Sequence, residues 1–87
     1  MNGRALVAWN LRRIRVRQGI SQERLAYDAG VDRSYTGGLE RGEENPTVDV
    51  LDRLAETLAV PLSELFRAPR AGEERPRPLR RGRRRLR

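Results

Sequence analysis

Side-chain chemistry in this 87-residue chain has to be done without imidazole or thiol, because the sequence contains neither histidine nor cysteine. That removes the usual zinc sites, disulfide frameworks and the Cys/His and Ser/His pairs of nucleophilic catalysis. Carboxylates, hydroxyls, amides and arginine remain. Carboxylate pairs occur, but none is joined to a recognisable substrate pocket or nucleophile, so no enzyme activity, metal or cofactor is expected. Arginine is the abundant group, with 19 basic residues and not one lysine among them. Its planar fork donates in pairs to carboxylates, to phosphate oxygens or to the O6/N7 edge of guanine. Codon bias in a GC-rich genome explains the preference for arginine equally well, so arginine identity alone names no partner.

Placement of the charge says more. The net charge of +7 points to an anionic partner. Residues 1–67 hold 10 arginines and 10 acids, whereas residues 68–87 hold 9 arginines against Glu73 and Glu74. The whole net charge therefore belongs to the C-terminal segment. Within the first part, residues 1–41 sum to +4 and residues 42–67 to −4, which makes a neutral but dipolar unit. The chain thus divides into a domain, 1–67, and a basic tail, 68–87. Pro69, Pro76, Pro78 and only two large aliphatics, Leu79 and Leu86, leave the tail too little apolar surface to offset the entropy of ordering. It is expected to be disordered when free and to reach about 25 Å root-mean-square. Its arginines Arg80, Arg81, Arg83, Arg84, Arg85 and Arg87 are candidates for nonspecific nucleic-acid contact.

The elements that must position the remaining polar groups read as helices throughout, with no alternating stretch to suggest a strand. Val7, Leu11 and Ile14 make the apolar stripe of a first helix over about residues 4–17, with Arg12, Arg13 and Arg17 on its other face. Ser21 is the N-cap of a second helix whose inner face is Leu25, Ala26 and Ala29, and Gly30 ends it. Asp32 caps a third, holding Tyr35, Thr36 and Leu39 and stopping at Gly42. Thr47 caps a fourth, with Val48, Leu51, Leu54, Ala55 and Leu58 on helical spacing, and Pro61 opens a short fifth with Leu62, Leu65 and Phe66. Trp9 lies off the first stripe, and three readings stay open for it: an edge cover, a dimer contact or plain exposure. No apolar run nears the roughly 18 residues of a membrane span, and the N-terminus lacks the apolar core of a signal peptide. A cytoplasmic location is expected.

The segment from Ser21 to Gly42 joins two short helices through a tight link at Gly30, with the small Ala26 where the helices should approach most closely. A pair of this kind presents its second helix to the major groove. SQERLAYDAG-VDRSYTGGLERGEENP, preceded by LRRIRVRQGI and followed by TVDVLDRLAETLAVPLSELF, resembles the phage-repressor and Cro-type (xenobiotic-response-element type) helix-turn-helix family of transcriptional regulators. The likeness covers roughly residues 4–67 and rests on Gln22, Leu25, Ala26, Gly30, Leu39, Glu40, Gly42 and Pro46 in order. It implies an all-α, five-helix, lambda-repressor-like fold with the arginine tail outside it. It also implies double-stranded DNA as partner, a homodimer on two half-sites, and residence on the nucleoid, with no membrane and no evident small-molecule ligand.

Position by position, the resemblance implies base contact by Arg33, Ser34 and Gly38, and phosphate contact by Gln22, Arg41 and Asn45. It implies a structural ion pair between Arg15 and Glu40. Thr36 stands where the family usually has a β-branched aliphatic residue, and Gly37 and Gly38 stand where polar side chains are common. Each mid-helix glycine costs roughly 1 kcal/mol against alanine and offers no side chain to a base. Direct readout is therefore expected to be short, dominated by Arg33 and Ser34 and helped by DNA shape. Repressor, restriction-modification controller and antitoxin roles all use this scaffold. The alternative is a protein-interaction module, with Glu43, Glu44, Asp49, Asp52 and Glu56 facing a basic partner and nucleic acid held only nonspecifically by the tail.

Overall fold

In the computed structural model, which describes residues 1–73, every α-helix opens on a side-chain cap. Asn2, Ser21, Asp32 and Thr47 accept from the backbone amides of Ala5, Arg24, Tyr35 and Val50, so each pairs an amide that has no partner within the helix. The helices they open are α1 (Gly3–Arg17), α2 (Gln22–Ala29), α3 (Arg33–Glu40) and α4 (Val48–Thr57). No strand occurs among the described residues.

The expected fifth helix is not α-helical. Leu62–Phe66 forms a 3-10 turn, in which the Glu64 amide donates to the Pro61 carbonyl at 2.9 Å. The seven residues between Pro61 and Pro69 are too few to offset the cost of nucleating an α-helix, and the tighter i to i+3 bond is the short-segment solution. Beyond residue 67 the described chain continues as far as residue 73. The Glu73 carboxylate accepts from the Arg70 amide at 2.9 Å and from the Arg67 guanidinium at 3.0 Å, closing a turn over residues 67–73. The Arg70 amide holds the Glu73 carboxyl below its ordinary value against an opposing desolvation, with further help from the Arg67 guanidinium. Tail residues Arg80, Arg81, Arg83, Arg84, Arg85 and Arg87 lie outside the described residues.

Val7, Leu11 and Ile14 of α1 meet Leu25 and Ala29 of α2, Leu39 of α3, Leu51, Leu54, Ala55 and Leu58 from α4 and its end, and Leu65 of the 3-10 turn. Each valine, leucine or isoleucine among them contributes roughly 1.5–3 kcal/mol when fully buried. No aromatic belongs to the buried set; Tyr35 only packs against it, and Tyr27 is exposed. α1 packs on α3 and the 3-10 turn, while α4 packs chiefly on α2 and the same turn. The acidic α4 residues Asp49, Asp52 and Glu56 are all exposed.

One face of α1 departs from expectation. Arg17 is exposed, but Arg13 is buried and Arg12 half-buried. Arg13 donates to Asn10 Oδ1 at 3.1 and 3.0 Å and pairs with Glu64 at 3.3 Å, and its guanidinium lies 5.6 Å from the Trp9 ring centroid. Burial lowers the Arg13 pKa from its ordinary value, opposed by the Glu64 hydrogen bond. Arg67 approaches the same ring at 5.5 Å, so Trp9 is held by two cations at the domain edge. Asn10 is fully buried, and its amide lies within hydrogen-bonding distance of the carbonyls of Leu6, Leu65 and Arg67, at 2.8 to 3.1 Å. These contacts fasten residues 65–67 to α1 across more than 50 residues of sequence.

Candidate nucleic-acid interface

α3 is a two-turn helix set across α1 and α2, and its exposed N-terminal end carries the candidate reading residues. Gly30 ends α2 at φ 69°, a left-handed conformation that glycine adopts without strain. Val31 then donates its amide to the Ala26 carbonyl at 2.9 Å, and Asp32 starts α3 two residues after Gly30. So short a link fixes the angle between the two helices. Ala26, 3% exposed, supplies the small contact this requires.

Arg33 and Ser34 occupy the first turn of α3, are exposed, and make no side-chain hydrogen bond or ion pair among the described residues. They share a shallow surface cleft of about 260 Å³ with Gln22, Gly37 and Arg41. Gln22 opens α2 and donates its Nε2 to Glu40 Oε1 at 3.0 Å. One amide hydrogen and the amide oxygen are left over for another partner. Arg41, just beyond α3, is exposed and paired only to the equally exposed Glu43, at 3.0 Å, a bond weak enough in water to be exchanged for a phosphate.

Behind the cleft the polar groups are committed. Arg15 Nε donates to Glu40 Oε2 at 2.6 Å, and its Nη2 donates to Oε1 at 2.9 Å. A third donor, Nη1, reaches the Ile20 carbonyl at 2.8 Å. The structure thus brings Arg15, Glu40 and Gln22 into one buried network tying α1, the α1–α2 link, α2 and α3 together. Thr36 is fully buried and turns its hydroxyl inward, donating to the Asp32 carbonyl at 3.0 Å. That bond satisfies the polar group that replaces a methyl at this site.

Two expected site residues stand apart from this cleft. Gly38 is buried, and a Cβ built on it would lie 2.7 Å from Glu44 Oε2 and 2.8 Å from Glu44 Cγ. Its missing side chain makes room for Glu44, whose neighbour Glu43 donates an amide to the Gly38 carbonyl at 2.9 Å. The helical residue beside Arg33 and Ser34 is Gly37, where a Cβ would lie 3.2 Å from an Arg41 guanidinium nitrogen. Asn45 is exposed and lines a separate groove with Asn2, Arg4, Pro46, Val48 and Phe66. Sequence reasoning missed Asn10 and Arg13. The available signal was that Asn10 falls three residues after Val7 and four before Ile14, on the apolar stripe itself.

A family model described as Helix-turn-helix (HTH_3) matches residues 11–65. The chain belongs to this helix-turn-helix family. It is 42% identical over 65 residues to an uncharacterized HTH-type transcriptional regulator, y4dJ, of Sinorhizobium fredii, an alignment covering 75% of this chain and 84% of that protein. A Neisseria meningitidis hypothetical transcription factor is 38% identical over 66 residues, covering 76% of this chain but only 62% of the relative. Among solved structures, the hypothetical transcription factor NHTF from Neisseria superposes with a TM-score of 0.76 at 37% identity, covering 78% of each chain. The restriction-modification controller protein C.AhdI from Aeromonas hydrophila gives 0.70 at 41% identity, covering 72% of this chain and 96% of that one. The matched residues 11–65 take in the second half of α1, all of α2, α3 and α4, and the braced cleft.

Proposed function

We propose that this helix-turn-helix protein is a sequence-specific, double-stranded DNA-binding transcriptional regulator, acting as a homodimeric repressor or controller with α3 in the major groove. The observation that carries the reading is the pairing of exposed, unengaged Arg33 and Ser34 with a buried network that leaves α3 no freedom to turn. Arg33 is assigned to the O6/N7 edge of a guanine and Ser34 to a neighbouring base. Gln22 and Arg41 take phosphates on either side of the cleft, and Asn45, from the α3–α4 link, takes one farther along. Gly37 lets the helix backbone approach the groove closely.

The acidic half of the domain, on α4, is directed away from the duplex and is assigned to the dimer. Val48 and Phe66, 64% and 43% exposed, give that half apolar surface worth covering. The resemblance to C.AhdI, a restriction-modification controller by name, supports the controller reading. No helix among the described residues is long and apolar enough to cross a membrane. The tail arginines are assigned to nonspecific phosphate contact.

The test is selection from a randomised duplex pool with the full chain. The proposal requires an enriched motif made of two half-sites about one helical turn apart; enrichment of none refutes it. Replacing Arg80, Arg81, Arg83, Arg84, Arg85 and Arg87 by glutamine should flatten the slope of log affinity against log salt, by about 0.9 for each phosphate no longer neutralised.

A further inference from the structure

Arg12 and Arg15 sit three residues apart on α1 and therefore on neighbouring parts of one face, yet their surroundings differ. Every nitrogen of Arg15 has an acceptor. Arg12 Nε is the one buried side-chain polar atom without a hydrogen-bond partner among the described residues, and the Arg12 guanidinium forms no ion pair among them. Buried donors are ordinarily paired, and those that are not call for an explanation.

Arg12 lines a groove of about 550 Å³ whose walls include Ala8, Trp9, Glu40, Arg41 and Gly42. Glu40 is the only carboxylate there, and both its oxygens are already engaged by Arg15 and Gln22. The groove therefore offers cationic donors and no free anion. Arg41 also lines the cleft that holds Gln22, Arg33, Ser34 and Gly37, so the two depressions share Arg41 as a common wall.

We propose that Arg12 binds a backbone phosphate of the same duplex, in the groove beyond Arg41, so that the DNA footprint runs from α3 across α1. This rests on the DNA-binding reading and adds to it a contact surface outside the α2–α3 pair. Phosphate is the occupant that charge complementarity selects: the Arg12 guanidinium has no ion pair among the described residues, and its two terminal Nη groups, unlike the buried Nε, are free to donate in parallel to two phosphate oxygens. The shared Arg41 wall beside the Arg33 cleft selects the duplex over a free anion. Trp9 and Ala8 supply an apolar wall beside which a deoxyribose fits. The contact carries no base information, so it sets affinity and register and leaves the motif unchanged.

The experiment compares the full chain with Arg12→Gln and Arg12→Lys on the selected duplex and on scrambled duplexes, across a salt series. Arg12→Gln should weaken binding about tenfold on every duplex, the equivalent of about 1.4 kcal/mol, and lower the salt slope by about 0.9, with the enriched motif unchanged. Arg12→Lys should keep the slope. Wild-type affinity and slope in Arg12→Gln would overturn the proposal. Should Arg12→Gln fail to fold, the wild-type chain on duplexes carrying single neutral methylphosphonates answers instead. At least one phosphate beyond the motif edge should be sensitive, and less so with Arg12→Lys; uniform insensitivity there overturns the assignment. In a second arm, inorganic phosphate alone at millimolar concentration and constant ionic strength should leave Trp9 fluorescence without a saturable change. A saturable change lost in Arg12→Gln would give the groove to a free anion and overturn the duplex assignment. If the wild-type chain binds no duplex, the functional reading falls as well; if it binds and Arg12→Gln matches it, only the role of Arg12 falls.

Discussion

At the C-terminal end of α3, Glu40 is 3% exposed and shares its two oxygens among Arg15 and Gln22; at the N-terminal end, Arg33 and Ser34 are exposed and unengaged. The two ends lie seven residues apart on one short helix. A charge buried in a closed network can hold an orientation but cannot bind anything else, because releasing it would leave its partner unpaired. A charge left in water contributes little to the fold and remains available to a ligand. The helix thus separates what fixes it from what it presents, and substitutions at its two ends should affect different properties.

The largest effect is expected at the buried end. Glu40→Ala strands the Arg15 guanidinium and should cost about 3–5 kcal/mol of unfolding free energy, read from urea denaturation. A cost below about 1 kcal/mol would mean that the pair is solvated and the contrast false. Asn10→Ala comes next. It removes the amide that serves the carbonyls of Leu65 and Arg67 and should cost about 2–3 kcal/mol. Hydrogen exchange should show the 3-10 turn opening ahead of the helices.

At the other end Gly37→Ala should reverse the sign. The new Cβ comes tightly against only the flexible, exposed Arg41 guanidinium, at 3.2 Å, and makes an ordinary contact with Gln22 Oε1 at 3.6 Å, so the chain should gain about 0.5–1 kcal/mol in stability while DNA affinity falls. A loss of both would place Gly37 with the braced side. The smallest effect is one of pH. The Glu73 carboxyl is depressed in the folded state, chiefly by the Arg70 amide. Its contribution is therefore complete above the ordinary carboxylate pKa and is lost as pH falls through the lower, folded value. The Arg70 amide resonance should follow that acid transition; an Arg70 amide that does not move with it would mean that the turn is not held by Glu73.

Much of this contrast could be read before any coordinates. Ser21, Asp32 and Thr47 act locally, each on an amide three residues ahead, so a cap is written in four residues. Gly30 likewise needs only its own backbone conformation. Contacts made across the fold left no such local trace. Arg13 looks like one more cation on a basic helix until Glu64 and the carbonyl-lined site of Asn10 come together from 51 and more residues away. Base contact at Gly38 is implied by the resemblance alone. Position on α3 does not reveal that Glu44 folds back over it. The 3-10 turn was mistaken for a helix because apolar spacing at 62, 65 and 66 serves either geometry, and only length and the flanking prolines separate them.

The most direct measurement is the randomised-duplex selection repeated with Arg33→Ala beside a denaturation curve of the same variant. Unfolding free energy should stay within about 0.5 kcal/mol of wild type, and base preference should collapse at one position of each half-site, by about 1–3 kcal/mol, with binding to other duplexes retained. An unchanged motif, or an equal loss of affinity on every sequence, would contradict the assignment of Arg33 as the residue that reads DNA.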